Sequence, residues 1–597
     1  MNSERPVLAP ALLYTLFAIV LLQLPAELPG SLITGQPVVL TALEASVGAL
    51  AILCLARSLR RGRLRPPRMG LREPGFWVLV WLGSQFAAAL LAPELRGPAI
   101  KFAMRSAGIA SLFWISIQLH GAIGDRERRL RRTFGWIVAL AVLVSVVGTL
   151  EQTRGEIVQP FLRAFRVVPT HVDGALRLTA SFNHANQTAA FLSMVLPLAA
   201  GLALASQGGT RWVWGLAACA ILYGLFGTLS RAAMVAATAV VGAQLVVAAT
   251  NRSLRPAAII GLVLLMGSWT LRWNLDAAFR HRIGAHSGRG LAAEVQPPSN
   301  LTAVTGSRLP VEVRIANRGY LSWPTDGVAP VRLGYHIFDA SREEPTRDES
   351  RDPASLLVMA SPSLWVFDGQ RAALPGTVRP GEAVRVTADL AVTVPPGDYV
   401  VAWDLVREGV AWFSQYGSAL AKTSLEAKAA STGVAPQSPA REIVPAGLIW
   451  GPEAEPAARA PRSVLWRLAW AAFTARPLTG NGPDTFRRTY GRALHWERWD
   501  TRVHANNVYL ELLATSGIFG FLTWLGILIA FVPAIRSALR AARRTDPIGL
   551  ALAGTLLVFS LHGLLDSFLG FYGCMGIFWI AAGLLVSWQR TRMEAGG

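Results

Sequence analysis

Charge is scarce in this sequence. Only 16% of its 597 residues are Asp, Glu, Lys or Arg, against about 25% in soluble globular domains. A chain this poor in charge, and 52% hydrophobic, is not an ordinary water-soluble protein; several of its apolar runs reach the ~20 residues that a membrane-spanning helix needs. Cysteine is rarer still. Cys54, Cys219 and Cys574 each sit inside an apolar run, which excludes a disulfide framework in the hydrophilic stretches and any zinc-type spacing. No metal ligand cluster and no cofactor is expected. Acidic residues fall short of basic ones, 37 against 57, leaving a net charge of +20. Such an excess can serve nucleic acid, but the arginines here cluster in short loops between apolar runs. "RSLRRGRLRPPR" (57–68), "DRERRLRR" (125–132), "NRSLR" (251–255) and "RSALRAARR" (536–544) are the orientation signal of a membrane protein. The expected partner is a membrane, not nucleic acid.

What is present is a series of twelve candidate spans: about 8–25, 35–56, 75–93, 99–120, 134–151, 187–206, 212–229, 232–249, 256–273, 507–533, 548–566 and 569–588. The first has only Arg5 before it and no clear small-residue cleavage site, so it reads as a retained helix rather than a removed signal. With the N-terminus in the cytoplasm, the arginine-rich loops fall inside. Two longer segments then fall outside, 152–186 and 274–506. Within the second, "LPVEVRIA", "VRLGYHIF", "AVRVTADL" and "DYVVAWDL" alternate apolar and polar residues between Pro/Gly turns, the pattern of an antiparallel β-sandwich over 300–425. A linker rich in Ala, Pro and Ser follows (426–460). Then comes "PRSVLWRLAWAAFTA" (461–475), whose helical spacing predicts an amphipathic helix on the outer membrane surface. The expected organisation is residues 1–273 with spans one to nine, 274–506 as the extracytoplasmic region, and 507–597 with spans ten to twelve. The fold class is thus an all-α polytopic membrane protein of about 12 transmembrane helices with an inserted extracytoplasmic β-sandwich.

Three polar constellations stand at the outer ends of these spans. In "RVHANNVYLELLATSGIFG" (502–520), His504, Asn507 and Glu511 fall on one narrow face of a helix turning ~100° per residue. They read either as a helix cap with interfacial polar residues or as groups facing a cavity, since ionisable side chains are costly at membrane depth. In "GTLSRAAMVAAT", Arg231 has almost no loop to hold it in water. It either snorkels to headgroups or clamps an anion through its two-pronged guanidinium. In "RLTASFNHANQTAAFLSMVLPLAAG" (177–201), Arg177 and Asn186 border the sixth span, with Arg163 and Arg166 in the same loop as surface cations. His562 and Asp566, at i, i+4 in "SLHGLLDSF", read as a structural pair. Glu44, Lys101 and Arg105 read as internally paired or snorkelling.

Together these motifs resemble the O-antigen ligase and polymerase family of integral membrane glycosyltransferases. "RLTASFNHANQTAAFL" is similar to the family's Arg–Thr–Gly–x–Phe–x–x–Pro–Asn stretch, with Ala180 and Ala185 in place of the usual Gly and Pro. "TLSRAA" is similar to its Ser–Arg motif. "PLTGNGPDTFRRTY" (477–490), followed by "HANNVYLELLATSGIFG", is similar to its Gly-x-Gly segment and the His–Asn–x–Tyr–Leu and Gly–x–x–Gly that come after. Where family members often carry a second histidine, this chain has Asn506. The resemblance implies transfer of a glycan from a polyprenyl diphosphate carrier to an acceptor hydroxyl on a lipid, protein or glycan, at the outer face of a bacterial inner membrane. It also implies Arg231 and Arg177, with Asn186 and Asn507, at the substrate, and His504 as base, with Glu511 in reserve. A well-departing diphosphate asks for cations and positioning rather than a metal. The β-region resembles the immunoglobulin-like modules beside bacterial surface-polysaccharide enzymes, and Trp365, Trp403, Trp412 and Phe413 serve there either as sandwich core or as sugar-stacking rings. Two other classes stay open: a transporter of lipid-linked glycans, and a non-catalytic membrane scaffold with a binding domain.

Overall fold

A computed structural model describes residues 10–25, 41–60, 70–120, 126–165, 169–172, 174–284, 290–327, 329–341, 364–366, 368–408, 410–416, 418–429, 460–494, 499–544 and 546–595. Most of the expected linker, and Arg166, lie outside the described residues. The chain divides into two compact units. One comprises Met1–Val167, Leu178–Arg272 and Ala460–Gly597, the other Val168–Arg177 and Trp273–Arg459.

In chain order the helices run α1 (Pro10–Gln23), α2 (Ala42–Arg60), α3 (Pro74–Leu90), α4 (Arg96–His120), α5 (Arg126–Thr153) and α6 (Gly155–Leu162). There follow α7 (Ala185–Ala205), α8 (Gly208–Gly227), α9 (Arg231–Ala249), α10 (Arg255–Leu275) and α11 (Ala277–Ile283). The last group is α12 (Arg462–Ala475), α13 (Phe486–Thr489), α14 (Val508–Ala530), α15 (Val532–Arg544), α16 (Ile548–His562) and α17 (Tyr572–Ala595). Among the described residues eight helices are long and apolar enough to cross a membrane, and Leu12–Gln23, Pro74–Leu90 and Ile548–His562 are shorter apolar helices. Several spans in one chain make this a polytopic membrane protein. Helices satisfy their own backbone groups, which lipid does not do for them.

Burial ranks the helices. The spanning windows of α7 and α17 are 89% and 94% buried, whereas that of α10 is 11% buried. A helix that is apolar all round belongs at the centre of a bundle or facing lipid; α7 and α17 take the first place and α10 the second. Side chains of α3, α14, α16 and α17 meet in an aromatic cluster of Trp81, Trp524, Phe559, Phe578 and Trp579.

Polar contacts tie the bundle at its two ends. At one end the Leu178 amide donates to the Gly227 carbonyl and the Val508 amide to the Gly563 carbonyl, both at 2.8 Å, and Arg105 pairs with Glu44. At the other, Asn251 donates to the Arg543 carbonyl at 3.1 Å, Arg131 to the Ala205 carbonyl at 3.1 Å, and Trp588 to Asp546 at 3.0 Å. His504, Glu511, Asn186, Asn507 and Arg231 all lie at the first end.

The second unit carries the strands. β1 (His171–Val172) pairs with β2 (Ala175–Leu176) as a small hairpin. The rest are β3 (Ala293–Gln296), β4 (Asn300–Val304), β5 (Arg308–Asn317), β6 (Val331–Asp339), β7 (Leu364–Val366), β8 (Ala372–Ala373), β9 (Ala383–Ala391), β10 (Gly397–Arg407), β11 (Ala411–Trp412) and β12 (Ala421–Lys428). One sheet has the order β3-β5-β9. The other has the order β4-β12-β10-β6-β7, with β11 on β10 and β8 on β6. All pairings are antiparallel except β12 with β4. The four alternating runs lie in β5, β6, β9 and β10, and their inward residues share one core, with Val313 and Ile315 of β5 against Leu333 and Ile337 of β6. Trp403, Trp412 and Phe413 are buried and serve as interior packing; Trp365 is half-buried, edge-on to Tyr399.

Candidate functional site

The polar side chains at the opening of α14 are held by hydrogen bonds on both sides of the helix start. Helix geometry begins at Val508, with Asn507 as its N-cap: the Asn507 Oδ1 accepts from the amides of Tyr509 and Leu510, and its Nδ2 donates to the Leu564 carbonyl at 2.9 Å. His504 therefore stands in the preceding loop, and the expected three-residue face on one helix is corrected. What brings His504 to Glu511 instead is a turn at Asn506, whose φ is +52°, a left-handed conformation that Asn tolerates better than most residues. The turn points the imidazole back at the first helical turn. His504 Nδ1 lies 3.2 Å from Glu511 Oε1, and Glu511 Oε2 accepts from the Ala505 amide at 2.7 Å.

Both side chains of this dyad are buried. Burial pushes the His504 imidazole down, but the facing Glu511 carboxylate more than offsets it, and His504 is held above its ordinary value of 6.5. The carboxylate also fixes the ring: Nδ1 is engaged, while Nε2 makes no hydrogen bond among the described residues. A Cβ placed on Gly570 would come 3.5 Å from Nε2, so the open nitrogen faces the loop between α16 and α17. A base held by an orienting carboxylate, with its second nitrogen available, is the arrangement of general-base catalysis.

A second loop supports the dyad from behind. Gly517 breaks α14 with φ +63° and ψ −166°, leaving carbonyls of the first segment without helical donors. The segment 476–485 fills the break. The amides of Asn481 and Gly482 donate to Ala514 and Thr515 at 3.1 and 2.8 Å, and the Ile518 amide donates to the Pro477 carbonyl at 2.8 Å. The approach is too close for side chains: a Cβ on Gly480 would lie 2.4 Å from the Thr515 carbonyl carbon, and one on Gly517 would lie 2.3 Å from the Leu478 oxygen. The same loop delivers Asp484, buried, with φ +64°. Asp484 pairs with Arg487, at 2.7 Å for the Nη2 contact, and with Arg488. The charges of Asp484 and Arg487 both reach His504, and Arg487 also acts on Glu511 and Tyr572. The Arg105 guanidinium lies over the Tyr572 ring, 4.9 Å from its centroid. Sequence reasoning missed Asp484, Arg487 and Tyr572; the signal was the dense "GNGPDTFRR", where two glycines and an Asp precede two arginines.

α12 packs on this assembly. Leu465 and Ala469 are buried against Phe486, Tyr490, Ala505 and Ala514, so the apolar face expected to lie on lipid is covered by the chain itself, while Trp470 is exposed.

Asn186, in the first turn of α7, donates to Asp566 at 2.8 Å. Asp566 is thereby committed to Asn186 and the Ser567 amide. The expected His562–Asp566 pair does not form: His562 packs its ring on Phe568, and neither of its nitrogens has a partner among the described residues. Glu44 holds Arg105, as the internal-pairing expectation had it. Arg231 opens α9 after Leu229, whose φ is +53°, and is exposed with no polar partner among the described residues. Its height is set by packing. Gly554 of α16 meets Pro197 of α7 and Val240 of α9. From there, 554 to 563, 197 to 188 and 240 to 231 are equal steps, each about 13.5 Å along its helix. Arg231 is therefore level with Gly563, whose carbonyl accepts from Val508, and with the first turn of α7. Arg177 ends the strand-bearing unit's short segment, buried, its amide on the Thr170 carbonyl. Arg163 is exposed at the end of α6. Among the described residues, no three His, Cys, Asp or Glu side chains gather where they would hold a metal ion.

Fold and site together define a polytopic membrane protein with a histidine–carboxylate dyad among arginines at one end of its bundle. A family model described as O-antigen ligase matches residues 409–525, and this supports assigning the chain to the O-antigen ligase family. The match contains Asp484, Arg487, His504, Asn507 and Glu511; Arg177, Asn186 and Arg231 lie outside it. No curated protein matches the chain.

Proposed function

We propose that this protein transfers a glycan from a polyprenyl diphosphate carrier to an acceptor hydroxyl, as an O-antigen ligase or a surface polysaccharide polymerase. The observation that carries the reading is the His504–Glu511 dyad, with its open Nε2, inside the O-antigen ligase match. In this mechanism His504 Nε2 takes the proton of the acceptor hydroxyl as its oxygen bonds to the anomeric carbon. The bond from that carbon to the diphosphate breaks on the opposite face, so the configuration inverts. Arg231 and Arg177 neutralise the departing diphosphate, Glu511 steadies the imidazolium, and Asn186 and Asn507 stand at the substrate. Cations suffice for this leaving group, and no metal takes part. The site end faces the periplasm from the inner membrane, where a lipid-linked donor arrives sideways from the bilayer. The strand-bearing unit is an immunoglobulin-like sandwich in the periplasm.

The pH dependence of transfer tests the dyad. A general base acts when neutral, so the wild-type rate rises with pH through a value above 6.5. Glu511→Gln removes the charge and leaves the burial, which alone lowers the imidazole pKa. The rise then moves below 6.5, and the plateau falls by about 10²-fold or more. A rise at the same pH in both proteins would overturn the assignment of His504 as base.

A further inference from the structure

At the end of the bundle opposite the dyad, a groove of about 500 Å³ opens between α7, α8, α9 and α10. Its walls are apolar, with Leu204, Trp212, Leu216, Leu245 and Ile260 among them, and Trp212, Leu216 and Ile260 are exposed. It exists partly because side chains are missing: a Cβ on Gly215, which lines it, would meet nothing within 4 Å. One charged residue lines it. Arg211 donates from Nε to the Ser206 carbonyl at 3.0 Å, and its two terminal nitrogens have no partner among the described residues. Arg252 and Arg255, both exposed, stand just before Pro256 on the same rim.

We propose that this groove is a binding site for an anionic diacyl phospholipid, with one acyl chain along the apolar walls and the phosphate on Arg211. The argument is charge and shape together. A guanidinium with two unspent terminal nitrogens matches a phosphate in two-pronged fashion. Exposed Trp212 beside it suits the headgroup level, where tryptophan concentrates. The donor lipid of the proposed transfer is not the occupant. α8 runs from Gly208, at the groove, to Gly227, at the dyad's end, so a phosphate on Arg211 stands about 24 Å below that end by helix rise alone.

The test is lipid retention by the full-length protein in nanodiscs of equal phosphatidylglycerol and phosphatidylethanolamine, read by native mass spectrometry after gentle detergent transfer. The wild type is expected to keep one phosphatidylglycerol. Arg211→Gln should lose that preference, retaining it about tenfold less. Gly215→Trp, which fills the open space, should keep no lipid while eluting as the wild type does. Alkylation of Cys219, on the groove wall, gives a reading that does not depend on a variant folding: phosphatidylglycerol slows it several-fold and phosphatidylethanolamine does not. Equal retention of both lipids, retention of a polyprenyl phosphate instead, unchanged retention in Gly215→Trp, or alkylation indifferent to phosphatidylglycerol would each overturn the proposal.

Discussion

Single residues explain where this chain departs from the family's motif. Ala180 takes the place of a usual glycine, and its φ is +49°, a conformation that costs an L-residue about 1–2 kcal/mol. The backbone is held there by Glu151, buried, which accepts from the amides of Thr179 and Ala180 at 3.3 and 2.9 Å. Ala180→Gly should therefore raise stability by about 1 kcal/mol, read as a higher unfolding midpoint in detergent; a midpoint at or below the wild type would contradict this. Ala185 stands for a usual proline at the first position of α7, where the missing amide of proline costs nothing. Asn506 stands where the motif that the chain resembles often has a second histidine, and its left-handed turn aims His504 at Glu511. The residue types of the site were legible in the sequence. Their contact was not, because periodicity assumes a helix through 504–511 and the turn that replaces it depends on one φ angle.

At the scale of elements, alternation disclosed β5, β6, β9 and β10 because one face of each strand is buried and the other solvated. Spans were read from apolar length, which blurs where a helix breaks. The expected span 507–533 conceals the interruption at Gly517, since the residues around it are as apolar as a continuous helix requires. Gly-x-Gly and Gly-x-x-Gly are two sides of one contact, the loop at Gly480 against the break at Gly517. Gly480→Ala should cost about 2–3 kcal/mol and depress transfer by displacing Asp484 and Arg487. Gly209→Ala, in open space, should be neutral within about 0.5 kcal/mol. Equal melting of the two variants would refute the packing account.

For the whole molecule, the bundle has two chemically distinct ends, and the proposed orientation puts the dyad outside. In a protein without its native cysteines, Arg96→Cys at the dyad's end should react with an impermeant maleimide in cells with a permeabilised outer membrane. Arg540→Cys at the other end should react only after the inner membrane is opened. Labelling of both from one side would contradict the topology. Arginine-rich loops are the sequence signal on which this proposed orientation rests, whereas the height of Arg231 above the bundle centre emerges only from helix crossings at Gly554. The most direct measurement is transfer itself, with purified protein in lipid, a polyprenyl diphosphate-linked glycan and an acceptor glycolipid or glycan. The wild type should form product, and His504→Ala and Arg231→Ala should each form it about 10²-fold more slowly or worse while remaining folded. Undiminished transfer by both variants, or none by the wild type with any acceptor, would contradict the account.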